Sequence, residues 1–102
     1  MRFVYITTKD RAEARAVGRA LVEARLAACV NIIDGMESIY RWQGAVEEAR
    51  EAILLAKTEE RNVPALVEAV KKAHSYEIPC VVTLPIMEGN PSYLQWLAEN
   101  VR

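Results

Sequence analysis

The stretch of the sequence with the most chemical potential is His74-Ser75-Tyr76-Glu77, which combines an imidazole, a phenol and a carboxylate. It follows a predicted helix and precedes a predicted strand, and connections of this kind often carry functional residues. Histidine is the commonest metal ligand, so His74 is a candidate metal ligand. A cationic His74 at the end of a helix would equally complement the helix dipole. The sequence leaves both interpretations of its only histidine open.

The two cysteines, Cys29 and Cys80, lie far apart and form no CxxC pair. Their spacing indicates neither a disulfide framework nor a zinc site. Both lie among apolar neighbours, where a free cysteine packs like a small hydrophobic residue, so packing is favoured over a metal or redox role. Cys29 stays a weaker candidate metal ligand than His74.

Three glutamates near the middle of the chain, Glu47, Glu48 and Glu51, could attract divalent cations. Adjacent strand residues point to opposite faces of a sheet, so the three would not converge. A solvated sheet edge is therefore the favoured interpretation.

Large aromatic residues form a second group of interest. Tyr40 and Trp42 alternate onto one face of a predicted strand, and Trp96 lies in a predicted helix. Aromatic side chains of this size dominate cores and subunit interfaces. We expect the three residues at an interface between subunits or in the core.

The composition is that of one ordinary globular domain spanning residues 1–102. The chain has 52% hydrophobic and 26% charged residues and a net charge of -1. A balanced charge gives no electrostatic reason to expect a nucleic-acid or anionic-membrane partner. No apolar run approaches the ~20 residues that span a bilayer, and no secretory signal is legible at the N-terminus, so we expect a cytoplasmic protein.

Periodicity and turn residues predict an α+β fold. We predict strands at Arg2 to Thr8, at Ala28 to Ile33 with a stop or bulge at Asp34-Gly35 before Ser38 to Trp42, at Ala45 to Lys57 and at Pro79 to Pro85. We predict helices after Asp10, from Asn62 and Pro64 to near His74-Ser75, and after Asn90-Pro91. The order β-α-β-β-α-β-α is the ferredoxin-like split βαβ arrangement with an added C-terminal helix.

The least certain element is Ala45 to Lys57, whose first half has helical propensity. A tight turn at Gln43-Gly44 favours an antiparallel return strand instead. The preceding strand and this one would then form an extended hairpin.

The sequence lacks the motifs of several functions that this fold supports. It has no aromatic and basic strand pattern for RNA, no paired thiols before the first helix for soft metals, and no glycine-rich phosphate loop. No nucleophile is marked as a partner of His74. The residues alone therefore leave an enzyme possible but without support.

Several separated segments closely resemble the CutA family, which is named for divalent cation tolerance. The matching segments are Arg25 to Asn31, Ile39 to Gly44, Lys57-Thr58, His74 to Pro79, Leu84 to Ile86 and Gly89 to Trp96. The resemblance covers essentially the whole chain. It implies a ferredoxin-like subunit in a PII-like homotrimer, with the long hairpin packed between subunits and no established reaction.

The sequence departs from the family where some bacterial members are assigned a copper site. That pattern uses a cysteine and paired histidines, and the matching positions here are Ile6, Ala73 and His74. One imidazole cannot provide the several N and S ligands that copper prefers, so we expect at most weak binding of Cu(II) or another divalent cation. Cys80 stands where a glutamate is common in the family.

The resemblance leaves three hypotheses. The first is a cytoplasmic homotrimer that takes part in the response to metal ions without catalysis. The second is a PII-like sensor that holds an unidentified small molecule in the cleft between subunits, near Lys57, Tyr76 and Glu77. The third is a hydrolase that uses the same cleft.

Overall fold

Strands and helices follow the predicted order in the computed structural model, which describes residues 1–102. The strands are β1 (Arg2–Thr8), β2 (Cys29–Trp42), β3 (Ala45–Thr58) and β4 (Val81–Pro85). The helices are α1 (Arg11–Glu23), α2 (Val63–Ala73), which follows a 3₁₀ turn at Glu60–Asn62, and α3 (Pro91–Glu99).

The four strands form one antiparallel sheet in the order β2-β3-β1-β4. Helices α1 and α2 cover one face of this sheet. The core between the layers takes alternate residues of the central strands, such as Val4, Ile6 and Leu54, together with Leu21 of α1 and Leu66 of α2. The predicted ferredoxin-like fold with an added C-terminal helix is confirmed.

Asp10 and Asn90 cap the helices that follow them, as predicted. The Asp10 side chain accepts a hydrogen bond from the backbone N–H of Glu13 at 2.8 Å, and Asn90 accepts from Ser92 N–H at 3.2 Å. Both bonds satisfy amide groups that the first helical turn leaves free. Asn62 is different, because its side chain makes no capping bond and donates instead to the Arg102 carbonyl at 2.6 Å.

The long hairpin of β2 and β3 extends beyond the rest of the sheet. Trp42 pairs with Ala45 across a two-residue turn in which Gln43 and Gly44 both have positive φ, 49° and 83°. This geometry is the type I′ turn that suits a twisted hairpin. β1 pairs with β3 only as far as Ala52, so residues 36–42 and 45–51 form a two-stranded arm without a third strand. The strand assignment of Ala45 to Lys57 is confirmed.

Two predicted boundaries need correction or refinement. β2 is one strand with a register shift between Ile33 and Met36, so the predicted interruption is a bulge. β4 begins at Val81 and not at Pro79, because pairing with β1 starts only at Ile6 and proline has no N–H to donate. None of the three helices combines the length and the apolar character needed to cross a membrane.

The face of the sheet opposite α1 and α2 is covered by a helix only at its Lys57 end, where α3 lies, and is otherwise largely apolar. Its residues alternate with the core residues along every strand: Phe3, Tyr5, Ile33, Ile53, Leu55, Val82 and Leu84. We call this the helix-free face. Val82 and Leu84 are 53% and 60% exposed on it.

Candidate functional site

The helix-free face carries two separate polar clusters at opposite ends of β3. One surrounds Glu51, where the hairpin arm leaves the sheet, and the other surrounds Lys57 near the end of the strand. The two residues are six positions apart, or roughly 20 Å along an extended strand.

A pocket of about 540 Å³ lies at the Glu51 end. Strand β1, the hairpin arm and the connection after α2 all contribute to its wall: Tyr5, Thr7, Ser38, Tyr40, Trp42, Glu51, Tyr76, Glu77, Ile78 and Cys80. The connection after α2 is the segment containing the His74-Ser75-Tyr76-Glu77 cluster. The fold therefore brings Tyr76 and Glu77 together with Tyr40 and Trp42, which the sequence analysis treated separately.

Glu51 is the polar residue that joins these elements. The Tyr76 hydroxyl donates a hydrogen bond to Glu51 Oε2 at 2.7 Å. Burial, this bond and the charge of Glu51 raise the pKa of Tyr76 well above its ordinary value, so the phenol keeps its proton. Glu51 is only 8% exposed, so the prediction that it shares a solvated edge with Glu47 and Glu48 is wrong for this residue. The other two glutamates are exposed, as expected.

Immediately behind the pocket, His74 is held by backbone groups. Its Nδ1 accepts from the Tyr76 backbone N–H at 3.1 Å, so Nε2 carries the proton and donates to the Thr7 carbonyl at 2.7 Å. Thr7 lies one residue beyond the last β1–β4 pair, so its carbonyl has no hydrogen-bond partner on β4. His74 provides the hydrogen bond that this carbonyl needs. The imidazole is fully buried and fixes Tyr76 against the sheet.

Glu13 of α1 completes this arrangement. Its carboxylate accepts from the backbone N–H groups of Lys9 and Ser75 at 3.0 and 2.9 Å and lies 3.7 Å from His74 Nδ1. Burial alone would raise the pKa of the Glu13 carboxyl, but the hydrogen bonds from Ser75 and Lys9 outweigh burial and lower it. Glu13 thus ties the start of α1 to the connection after α2.

The contacts of His74 disfavour a metal site at this residue. Both ring nitrogens of His74 are already hydrogen-bonded, and its nearest carboxylate is that of Glu13. No group of three or more His, Cys, Asp or Glu side chains is arranged to hold a metal ion within one subunit. The residues around His74 therefore do not fit a multi-ligand copper site in a single subunit.

The second cluster centres on Lys57. Its ammonium group lies 3.2 Å from the Tyr93 hydroxyl, 3.4 Å from Asn31 Oδ1 and 3.7 Å from Cys29 Sγ. Burial alone would lower the pKa of Lys57, but the hydrogen bond to Tyr93 and the nearby Cys29 outweigh it and raise the pKa. The Cys29 thiol also lies 3.3 Å from the Tyr93 hydroxyl, so Cys29 makes polar contacts in addition to packing.

The remaining predicted residues lie outside these contacts. Lys57 is not in the pocket of Tyr76 and Glu77, so one subunit does not place the three in a common cleft. Trp96 stacks on Tyr93 with ring centroids 5.6 Å apart and is partly exposed. Tyr5 and Glu51 are pocket residues that the sequence analysis did not identify. The signal that could have identified them is the alternation along β1 and β3, which places both side chains on the helix-free face.

Comparison with known proteins agrees with this architecture. A family model described as CutA1 divalent ion tolerance protein matches residues 2–100. The divalent-cation tolerance protein CutA of Thermus thermophilus is 55% identical over 97 residues, which cover 95% of this chain and 94% of that protein. A solved structure of the Thermus thermophilus protein superposes with a TM-score of 0.97 and full coverage of both chains, at 52% identity.

Two further relatives show the breadth of the similarity. Mouse protein CutA is 45% identical over 93 residues, which cover 91% of this chain but only 52% of the mouse protein. An Archaeoglobus fulgidus structure described as a periplasmic divalent cation tolerance protein CutA superposes with a TM-score of 0.95 at 37% identity and full coverage of both chains. This chain therefore belongs to the CutA1 divalent ion tolerance family.

Proposed function

We propose that this chain is the subunit of a homotrimeric, non-enzymatic protein that takes part in the response to divalent metal ions. Membership of the CutA1 family supports the link to divalent cations. We propose the trimer because the helix-free face of the sheet is apolar and exposed in the single subunit.

That face has the character of a subunit interface. Soluble monomers rarely expose large continuous apolar patches, and such patches mark sites of association. The exposed apolar residues of this face continue from β4 and the sheet onto the hairpin arm, where Tyr40 and Trp42 are 45% and 38% exposed. Ile39 and Val46, on the opposite face of the arm, are also largely solvent-exposed. A two-stranded arm is marginally stable by itself, so packing against neighbouring subunits would stabilise it. Tyr40 and Trp42 would contribute to such an interface.

The proposal that the chain is not an enzyme rests on His74. General-base catalysis needs an imidazole nitrogen within reach of a nucleophile or a substrate proton. Both nitrogens of this buried ring are engaged by the Thr7 carbonyl and the Tyr76 backbone N–H. His74 therefore supports the local backbone, and no other histidine is available for catalysis.

For metal binding we propose a weak site that needs more than one subunit. A single subunit supplies no set of three potential ligands, so Cu(II) or another divalent cation would be shared. Of the two ligands predicted from the sequence, Cys29 remains a candidate, whereas the hydrogen bonds on both ring nitrogens disfavour His74. We also propose a cytoplasmic location, which the two free cysteines support because thiols persist in reducing compartments.

The PII-like sensor alternative places its ligand between subunits. Because Lys57 lies about 20 Å from Glu51 along β3, only a neighbouring subunit could bring a Lys57 beside Tyr76 and Glu77. The sensor alternative thus also depends on assembly.

Native mass spectrometry tests assembly and metal uptake together. Spectra would be recorded for the metal-free protein and after addition of a slight excess of Cu(II) or Zn(II). We expect a trimer that retains the ions only weakly. Leu84→Asp places a charge on the helix-free face and should give monomers, whereas Ala12→Asp, on the exposed side of α1, is the matched control and should remain trimeric.

The outcomes separate the two parts of the proposal. A monomeric wild-type protein would contradict the assembly. A trimer that retains no ions at any metal concentration would keep the assembly and contradict direct metal binding.

A further inference from the structure

The bulge in β2 places an aspartate directly before a glycine. Asp34 and Gly35 lie between Ile33 and Met36, the two positions between which the pairing with β3 changes register. Glycine has no side chain to shield its backbone nitrogen from the carboxyl group of the preceding residue. Gly35 has a φ of 79°, a conformation that favours glycine, so the bulge itself requires the residue that leaves this nitrogen unshielded.

The carboxylate of Asp34 is held against that nitrogen. The Gly35 backbone N–H donates a hydrogen bond to Asp34 Oδ1 at 2.8 Å. The carboxyl carbon, Cγ, is one bond from Oδ1 and therefore also lies near the Gly35 nitrogen. Intramolecular reactions are fast when two groups are held at about 3–3.5 Å in this way. The contact joins two adjacent residues, so it does not depend on whether a neighbouring subunit covers the sheet.

Asp10, the only other aspartate in the chain, has a different partner. Its carboxylate accepts at 2.8 Å from the backbone N–H of Glu13, three residues further on, as the cap of α1. This bond commits the carboxyl group to Glu13 and not to the nitrogen of Arg11, the next residue. Asp10 is therefore a control for Asp34 within the same molecule.

We propose that Asp34-Gly35 is a modification site at which Asp34 is converted to isoaspartate through a succinimide. The Gly35 nitrogen forms a bond to Asp34 Cγ, and its proton leaves with the carboxyl hydroxyl group as one water molecule. Water then opens the five-membered ring at one of its two carbonyl carbons. Opening at Cγ restores aspartate, whereas opening at the main-chain carbon breaks its bond to the Gly35 nitrogen and leaves isoaspartate. One water is released and one is taken up, without oxidation.

Isoaspartate lengthens the main chain at the bulge by one carbon atom. The bulge joins residues 29–33, which lie in the sheet, to residues 36–42 of the hairpin arm, so the added atom changes how the arm leaves the sheet. Isoaspartate also carries a free α-carboxylate, which isoaspartyl methyltransferases methylate with S-adenosylmethionine. The modified chain is thus a substrate for this class of repair enzyme. The inference goes beyond the proposed metal response and uses none of its ligands.

Incubation in water enriched in the heavy oxygen isotope tests the proposal, because each ring opening adds one heavy oxygen atom to the residue. The full chain would be incubated at mildly acidic pH, returned to ordinary water and cleaved after arginine. This cleavage yields residues 26–41, which contain Asp34, and residues 3–11, which contain Asp10. Fragment ions of the first peptide separate label at Asp34 from label at Asn31.

We expect at least about tenfold more heavy oxygen at Asp34 than at Asp10, because a misplacement of about 1 Å between reacting groups can cost roughly 100-fold in rate. Methyl transfer from radiolabelled S-adenosylmethionine by an isoaspartyl methyltransferase then measures the isoaspartate itself. The methyl label should lie in residues 26–41 and not in residues 3–11.

Asp34→Glu keeps the charge and the glycine but adds a methylene group between the carboxyl group and the main chain. We expect label at position 34 to fall to the level of residues 3–11. Asp10→Glu is the matched control and should leave label at Asp34 unchanged. Asp34→Asn keeps the shape with ammonia as the leaving group, so it should lose ammonia at this position through the same ring.

A synthetic peptide of residues 26–41 shows whether the fold permits the reaction. We expect Asp34 in the folded chain to take up label at least as fast as in the peptide. Slower uptake in the folded chain would show that the bulge protects Asp34 and would overturn the proposal. Equal label at Asp34 and Asp10, or undiminished label in Asp34→Glu, would also overturn it. These measurements do not involve metal ions or subunit number, so their failure is distinguishable from failure of the proposed function.

Discussion

Replacing His74 with alanine should destabilise the fold strongly and leave divalent-metal affinity little changed. The substitution removes both hydrogen bonds of a fully buried ring, at 2.7 Å to the Thr7 carbonyl and at 3.1 Å from the Tyr76 backbone N–H. Each buried backbone group left without a partner costs about 1–3 kcal/mol, and the cavity left by the ring adds to this. We expect a total loss of about 3–5 kcal/mol in the free energy of unfolding.

Urea unfolding followed by circular dichroism measures this loss. Both proteins must be compared at one subunit concentration, because the proposed assembly would contribute to the apparent stability. Lys72→Ala, at an exposed position in the last turn of α2, is the control and should change stability by less than about 0.5 kcal/mol. A His74→Ala protein with wild-type stability but sharply weaker Cu(II) binding would refute the structural role and restore His74 as a ligand.

Because the pKa of Glu13 is lowered below 4.5 in the folded protein, its contribution to stability is complete above about pH 4.5 and is lost as the pH falls through the folded pKa. Glu13→Gln should therefore flatten the decline in urea midpoint between pH 5 and 3, and an unchanged decline would contradict this. Gly44→Ala should cost about 1–2 kcal/mol, because φ is 83° there, whereas Gly89→Ala, at a residue without positive φ, should be nearly neutral in the same unfolding assay. Tyr76→Phe leaves Glu51 without its phenol donor and should destabilise the protein by about 1–3 kcal/mol. If Tyr76→Phe costs as much in a Glu51→Ala background as in the wild type, the two residues are not coupled.

Local sequence signals were sufficient for most of the fold. Asp10 and Asn90 are helix caps because a short polar side chain can satisfy amides of the first turn, and that chemistry is readable in a few residues. Gln43-Gly44 likewise identified the hairpin turn. This turn is the reason that Val46 to Ala52 is predicted to be a strand, although intrinsic propensity alone favours a helix there.

The site was less accessible to such reasoning, because its contacts join residues far apart in the chain. Tyr76 and Glu51 are 25 positions apart, and nothing in either local sequence indicates that the phenol will meet the carboxylate. The sequence analysis gave His74 two interpretations, a metal ligand and a cation at the end of a helix, and neither included two backbone hydrogen bonds. Its environment depends on where β4 stops pairing with β1, which is a property of the assembled sheet.

The hairpin arm gives the molecule a region whose order should depend on protein concentration. Residues 36–42 and 45–51 pair only with each other, and much of the arm is exposed in the isolated subunit. On dilution below the concentration that would maintain the proposed trimer, we expect amide protons in the arm to exchange with solvent while those of β1 stay protected. The unpaired backbone edges of the arm would then be open to strands of other chains. Assembly would thus protect the subunit from aggregation in addition to completing its fold.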